Sequence, residues 1–398
     1  MAKKKKQSIP MTASERIEEK FGGKWERAGK SILNIQPAVP TGSLLLDEAI
    51  GECKGWPEGS TIEAYGPQHS GKTLMGYLAI AASQRKHPER EHLIIDAENQ
   101  FKFQARWARD LGVDVERLFV KPVSSAEEAF DIMEMAILGD VDLDENGYVK
   151  KINKPGNFGV IMIDSVTQLV PLEMVHKKMD QSLRMASLAS AMSQGLKKTT
   201  SAMVTAQSPT IMFFINQIRA DPNKMFGSPE TRTGGNALPF YATIVLRVAK
   251  VWESEERDDR GKIVSHRTRL KFEKNKAGSL PADAIEFKIN YDGSGIDNDD
   301  EMFGVGELNG IIDNVKRGYY NVVKPGTREL VDENIKNFRK KEFPEVIAQH
   351  PHIKDMIQKY IDEGEFYIED DGMMDSEKEK IAKAKERKEK EEKEEKQQ

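Results

Sequence analysis

The sequence holds a single cysteine, Cys53, among 398 residues. That excludes an internal disulfide and suits a reducing cytosol. No apolar run approaches the ~20 residues of a membrane-spanning helix, and the Lys3-Lys4-Lys5-Lys6 start lacks the apolar segment of a secretory signal. A cytoplasmic protein with no membrane partner is therefore expected. The chain also lacks an excess of positive charge: 60 Lys and Arg stand against 65 Asp and Glu, a net charge of −5. A globally basic nucleic-acid binder is excluded, so any affinity for DNA has to come from a local surface or one completed by assembly. The four lysines at 3–6 either touch nucleic acid or form a solvated end, the commoner fate of such a run. Hydrophobic residues at 38% can still build a sizeable core, enough for two domains or one large one with additions.

The most informative stretch is Gly66-Pro67-Gln68-His69-Ser70-Gly71-Lys72-Thr73, which fits G-x-x-x-x-G-K-[ST] at every fixed position. A β-favouring run, Thr61 to Tyr65, precedes it, and Leu74, Met75, Leu78 and Ala82 follow at helical spacing. Strand, glycine-rich turn and helix are the context of a phosphate-binding loop. Backbone N–H groups curl round the phosphates and the helix N-terminus adds partial positive charge. Lys72 is placed to reach the β- and γ-phosphates, and Thr73 to put its hydroxyl on Mg²⁺. The expected ligand is a nucleoside triphosphate.

Around this loop the chain alternates strands and helices. Strands are expected at Thr61–Tyr65, His92–Asp96, Leu118–Lys121, Gly159–Asp164 and Ile211–Ile215, with helices at Lys72–Arg85, Phe103–Leu111, Ala126–Leu138 and Leu183–Lys198. That order means an α/β fold, a mostly parallel central sheet flanked by helices. Later strands, Thr243–Ala249, Thr268–Glu273 and Ile285–Ile289, have hairpin-like spacing and extend the sheet at one edge. A short amphipathic helix, Ala13–Phe21, precedes the core; it is too short to fold alone and must dock. At 140–157 the order is interrupted. Asn146-Gly147 suits a two-residue hairpin turn between Val141–Leu143 and Tyr148–Lys150. Asp142, Asp144, Asn146 and Gly147 also mimic half a calcium loop, whose twelfth position is here Asn153 rather than Glu. Beyond Tyr291 the pattern becomes a smaller region with helices expected at Asn334–Arg339 and Ile353–Ile361. From Asp362 to Asp375 every charged residue is acidic, and Ser376–Gln398 is a Glu/Lys mixture that is a solvated helix or disordered.

Three strand ends carry candidate chemistry. Val160-Ile161-Met162-Ile163 leads into Asp164, where a phosphate-loop protein holds magnesium through water. Leu93-Ile94-Ile95-Asp96 is followed by Glu98, either the group that orients an attacking water or a surface acid. Phe213-Phe214-Ile215 ends in Asn216-Gln217, neutral amides able to bond a γ-phosphate and release it on hydrolysis. The long polar segment Ala220–Asn236 follows; loops of that length are functional or disordered. Lys274 and Lys276 point the same way along a strand, which suggests an anion or simply a solvated edge.

Taken together these motifs resemble the bacterial RecA-type DNA strand-exchange recombinases, in a bacteriophage or divergent bacterial form. The resemblance is carried by Thr41-Gly42-Ser43-Leu44, the phosphate loop, Ile95-Asp96-Ala97-Glu98, Leu111-Gly112-Val113-Asp114 and Asp164-Ser165-Val166. Phe214-Ile215-Asn216-Gln217-Ile218-Arg219, Met225-Phe226-Gly227, Pro229-Glu230-Thr231, Thr233 to Leu238, Phe240-Tyr241-Ala242 and Lys274-Asn275-Lys276 complete it. It covers roughly residues 12–292. The fold it implies is a P-loop NTPase (RecA-like) core at 36–292, with a short N-terminal helical arm at 1–35, a small α+β C-terminal domain at 293–375 and a charged tail at 376–398.

The implied activity is a DNA-dependent ATPase using ATP and Mg²⁺, polymerised as a helical homo-oligomer on single-stranded DNA and pairing it with homologous duplex DNA, in a bacterial cytoplasm or phage-infected host. Catalytic roles fall to Glu98, Lys72, Gln217, Lys274 and Lys276, the last two reaching in from the next subunit like an arginine finger. Gly66 to Thr73, Asp164 and Trp107, standing where the family has an adenine-stacking tyrosine, would hold the nucleotide, with Thr73 and Asp164 on the metal. Met185 matches the wedge of the first DNA-binding loop. Lys197, Lys198, Arg219, Met225, Phe226, Arg232, Gly234, Gly235 and Asn236 complete the DNA surface. The second-loop tip, Asp221-Pro222-Asn223, departs from the basic and aliphatic residues usual there, and the 140–157 hairpin is extra. Two alternatives share the core: a hexameric helicase or motor, and a nucleotide-gated DNA-binding scaffold.

Overall fold

The computed structural model describes residues 37–363, apart from 148, 176–180, 221–229, 279–283 and 325–326, together with residues 16, 19 and 20. Most of the arm at 1–35 and the whole tail at 376–398 lie outside the described residues, as do Met225, Phe226 and all but the first two residues of the acidic run at 362–375. Residues up to Asp297 form one compact unit and those from Asn298 a second.

The first unit is built on an eleven-stranded sheet. Six parallel strands form its centre in the order β11 (Ile244–Lys250), β3 (Thr61–Gly66), β9 (Ile211–Ala220), β8 (Phe158–Asp164), β4 (Glu91–Asp96), β5 (Leu118–Pro122). Beyond β11 the direction reverses: β13 (Ile263–Asn275) and β14 (Ala284–Asn290) add antiparallel. The expected strand extension at one edge is thus found.

Every residue of β3 is buried, because helices cover both faces of the parallel sheet. On one face Phe130, Met133 and Ile137 of α4 (Ala126–Leu138) join Leu188, Met192 and Leu196 of α6 (Gln181–Ala206) against Leu93, Ile95, Ile161, Ile163, Met212 and Phe214. These sheet residues alternate along their strands, as the two-residue side-chain period requires. The other face carries α2 (Lys72–Lys86), which approaches so closely at Gly76 that a Cβ there would lie 2.2 Å from the Met162 sulfur. Helix starts follow the capping rules: Ser43 accepts from Leu46 N and Ser125 from Glu128 N, each 3.1 Å.

Two local expectations change. The interruption at 140–157 is a hairpin, β6 (Asp140–Leu143) with β7 (Val149–Lys154), but Leu143 pairs with Val149, so the paired residues stand further apart along the chain than a two-residue Asn146-Gly147 turn requires. The Asp144 carboxylate accepts from Asn146 N and Asp142 from the Asn153 amide, each 2.9 Å, so the acids serve the hairpin itself. In the second unit Asn334–Arg339 is not helical. Asn337 adopts φ 55° and Phe338 bridges to Tyr320, turning its ring against Phe343 and Tyr320. Burying that ring outweighs the weak helix propensity of the stretch. The unit otherwise comprises helices Asn298–Leu308, Phe343–Gln349 and Pro351–Glu363 and the hairpin Ile312–Lys316/Tyr319–Val322.

Candidate functional site

The phosphate loop joins β3 to α2. Gly66 sits at φ 153°, where a Cβ would strike the Val248 carbonyl 1.9 Å away, and Gly71, at φ 98°, is the residue before the helix, with no side chain capping it. The N–H groups of the first turn therefore face an anion site. Thr268 of β13 donates to the Ser70 carbonyl at 3.2 Å and steadies the loop from the antiparallel edge. Lys72 is buried and its ammonium donates to the Pro67 carbonyl. Burial depresses its pKa to about 8, against the opposing pull of Asp164 and Glu98.

Asp164, at the end of β8, accepts from Thr73 Oγ1 at 3.1 Å. Burial, then the Glu98 charge, raise its carboxyl to about 7, although the Thr73 bond works the other way. A hydroxyl and a carboxylate held side by side beside an anion site are oxygen donors of the kind that would hold Mg²⁺. Glu98 follows β4, held by its N–H on the Asp164 carbonyl at 3.2 Å. Its Oε1 accepts from Ser165 Oγ at 2.6 Å and from the Gln217 amide at 2.9 Å. The Asp96 carboxylate accepts from Gln100 N and Phe101 N (3.1 and 3.0 Å), fixing the start of α3 (Phe101–Asp110). That helix carries Trp107, half-buried, edge-on to Tyr77 of α2 with ring centroids 5.4 Å apart.

Gln217 lies inside β9, which runs five residues past the expected end at Ile215. The reason is β10 (Glu230–Arg232), which returns antiparallel with Arg232 opposite Ile218 and Thr231 opposite Arg219. The polar segment 220–236 is thus partly a strand pair around residues 221–229.

The chain belongs to the RecA family. Residues 9–297 match the family model described as the RecA N-terminal domain. The Protein RecA of Brucella anthropi is 36% identical over 341 residues, 85% of each chain. That of Rickettsia canadensis is 33% identical over 365 residues, 91% of this chain and 95% of the relative. That of Lactobacillus delbrueckii subsp. bulgaricus is 32% identical over 366 residues, 92% and 98%. As a RecA-type protein of DNA recombination and repair, the chain is a DNA-dependent ATPase that takes ATP and Mg²⁺. Its partners are single-stranded DNA and further copies of itself. Among the described residues no helix is long and apolar enough to cross a membrane.

Not every expected RecA site residue joins this centre. Lys274 and Lys276 lie at the opposite end of the sheet: Val245 of β11 pairs with both Glu63 and Lys274, and Lys276 N bonds Thr243, level with Thr61. Lys274 Nζ donates to the Pro239 and Phe240 carbonyls, 2.8 Å each. Burial and the neighbouring Lys276 charge lower its pKa. Lys197 and Lys198 sit about 18 Å along α6 from Met185 at 1.5 Å per residue, and Lys198 pairs with Glu134 (2.7 Å) and Asp131 (3.2 Å) on α4. The structure therefore makes Lys198 a tie between helices. Arg232 is likewise not turned to solvent as a DNA contact; its guanidinium pairs with Glu63 at 3.2 Å and with Glu273. Gly234 and Gly235, at φ 85° and 74°, pack over Met192 and Ala189 and lead into exposed Asn236.

Reading the sequence missed four residues that build this centre: Ser165, Thr167, Thr268 and Glu63. Thr167 Oγ1 accepts from Gln217 N at 3.1 Å. Glu63 had a legible signal, being an acid within a strand that must be buried on both faces and so needs a partner.

Proposed function

We propose that the chain is an ATP-dependent homologous recombinase that assembles as a helical filament on single-stranded DNA. It hydrolyses ATP at the seam between adjacent subunits and exchanges the bound strand with homologous duplex DNA. The observation that carries the reading is the Gln217–Glu98 hydrogen bond. One side of it belongs to the strand pair that flanks residues 221–229, the other to the hydrolytic centre.

In this mechanism Lys72 leaves the Pro67 carbonyl for the β- and γ-phosphates, and the Gly71 helix start receives their negative charge. Thr73 and Asp164 hold Mg²⁺, which when bound neutralises charge developing on the phosphate oxygens. Glu98 orients the water and takes its proton. Gln217 shifts its amide from Glu98 to the γ-phosphate, drawing β9 and its partner β10 with it. Trp107 lies along the nucleotide base.

The position of Lys274 and Lys276 supports a shared site. Lys276 is five residues from Gly66 along the strand direction, about 16 Å at 3.3 Å per residue, and two strands to the side. Neither lysine can serve its own loop, so each serves a neighbour's. On the DNA side, Met185 wedges between bases while Arg219, Met225, Phe226, Gly234, Gly235 and Asn236 hold backbone and stacked bases. The arm 1–35, core 36–292, C-terminal domain 293–375 and tail 376–398 belong to the same reading, as does a cytoplasmic setting in a bacterium or phage-infected cell.

The test combines ATP turnover with and without poly(dT), electron microscopy with a slowly hydrolysed ATP analogue, and D-loop formation. Stimulation, open helices and D-loops are expected. Closed rings select a hexameric motor, and DNA binding without D-loops selects a nucleotide-gated scaffold.

A further inference from the structure

Glu63 is fully buried in the strand that leads into the phosphate loop. One oxygen accepts from Asn216 Nδ2 at 3.1 Å, the other from Arg232 Nη1 at 3.2 Å. Arg232 also pairs with Glu273 of β13, and its guanidinium lies 3.8 Å from the centroid of the Tyr65 ring, whose hydroxyl donates to Glu273. Asn216 Nδ2 donates as well to the Thr233 carbonyl (3.1 Å), and its Oδ1 accepts from Gln217 N at 2.9 Å. One bonded chain thus runs from Arg232, three residues beyond the 221–229 segment, through Glu63 and Asn216 to Gln217 and Glu98.

We propose that Arg232 is a positioning residue that fastens the returning end of the second DNA-binding segment to the phosphate-loop strand, so that DNA held by that segment draws the Gln217 amide off Glu98 and towards the γ-phosphate. The proposal rests on the recombinase reading above. It replaces the direct phosphate contact expected of this arginine. A guanidinium between two carboxylates and over an aromatic face is fixed in position, as a lysine ammonium is not. The tie spans three strands, β10, β3 and β13, so movement of the 230–232 strand is opposed by its bonds to Glu63 and Glu273. Burial holds the Glu63 carboxyl above its ordinary range while Arg232 and Asn216 pull it down. The charged and titratable groups around it are Arg232, Glu273, Tyr65 and, level with Tyr65 on β11, Arg247.

The test compares wild type, Arg232→Lys, Arg232→Met and the double variant Arg232→Met/Glu63→Gln. Poly(dT)-stimulated ATP turnover is measured from pH 6 to 9, and poly(dT) affinity against salt. The double variant leaves no lone buried carboxylate and serves if the single methionine variant does not fold. It is expected to lose about tenfold in stimulated kcat, a typical coupling loss, at every pH, with KM for ATP unchanged. Arg232→Met comes closer to it as pH falls, because burial favours the neutral form of the Glu63 carboxyl. It falls further as pH rises and the unpaired carboxylate ionises; Arg232→Lys puts a charge back beside Glu63 and so removes that pH dependence, but recovers only part of the stimulated kcat because an ammonium is not fixed in position. The slope of affinity against salt stays at the wild-type value. Wild-type stimulation in the double variant, or a slope reduced by about one unit as for a lost phosphate contact, overturns the proposal. A wild type indifferent to poly(dT) instead overturns the recombinase reading on which it stands.

Discussion

Gln217 Nε2 donates to Glu98 Oε1 at 2.9 Å, joining residues 119 positions apart, one inside β9 and the other just past the end of β4. Glu98 is held by Ser165 as well, at 2.6 Å, so its carboxylate has a defined position before any phosphate chemistry begins. The two residues form a latch. In the mechanism proposed above, the amide resting on Glu98 occupies the acid in part, and its turn to a γ-phosphate leaves the carboxylate, still bonded to Ser165, to take the proton.

Glu98→Gln keeps the shape of the latch but removes the base. ATP binding, read by a fluorescent analogue, should stay within a factor of a few of wild type. Single-turnover hydrolysis should fall by about 10²–10⁴. Gln217→Ala, in contrast, should leave slow DNA-independent turnover and lose most of the stimulation by poly(dT). Normal hydrolysis in the Glu98 variant would assign the water to another group.

The depressed pKa of Lys72, about 8, sets a pH dependence for nucleotide binding. Below about pH 8 the free protein presents an ammonium to the phosphates. Above it the lysine must take up a proton on binding, because phosphates favour the charged form. The Lys72 contribution to the affinity for a slowly hydrolysed ATP analogue should therefore be flat below about pH 8 and decline above it, approaching tenfold per pH unit. Lys72→Met should bind weakly throughout and show no inflection from this group.

Catalysis across a seam predicts complementation. Lys274→Ala and Lys72→Ala should each lose stimulated turnover alone. Mixed in equal amounts, they leave about one seam in four with both lysines if subunits associate at random. Turnover should reappear at about that fraction of wild type, and its absence would place Lys274 outside the neighbour's site.

The hairpin at 140–157 offers a stability test separate from function. Gly147 has φ 80° with nothing near its missing Cβ, whereas a Cβ on Gly156 would lie 1.7 Å from the Ala136 carbonyl. Gly147→Ala should cost about 1 kcal/mol from backbone strain alone. Gly156→Ala should cost about 2–3 kcal/mol or more, since backbone must shift. Urea melts would separate the two, with ATP affinity following neither.

Much of the centre could be read from residue order, because its chemistry is local. The phosphate loop needs a strand, two glycines at fixed spacing and a helix start, all within fourteen residues from Thr61 to Leu74. Asp164 and Glu98 follow apolar runs whose only stable place is a sheet buried on both faces. The parallel core and its antiparallel extension followed from the spacing of strands and helices. Arg232 and Lys198 could not be placed that way. Each is a basic residue beside a polar or helical stretch, and sequence cannot say whether solvent or a carboxylate faces it.

What the amino-acid order determined by itself was most of the strands and helices of the core, and that a triphosphate binds where one strand turns into one helix. Period and turn chemistry are short-range properties, so they survive without a fold. What only the tertiary structure decided was which charges meet. Glu63 finds Arg232 169 positions away, Lys198 finds α4, and Lys274 faces the far end of the sheet. Those pairings depend on strand order and register, and long-range register leaves no local trace in the chain.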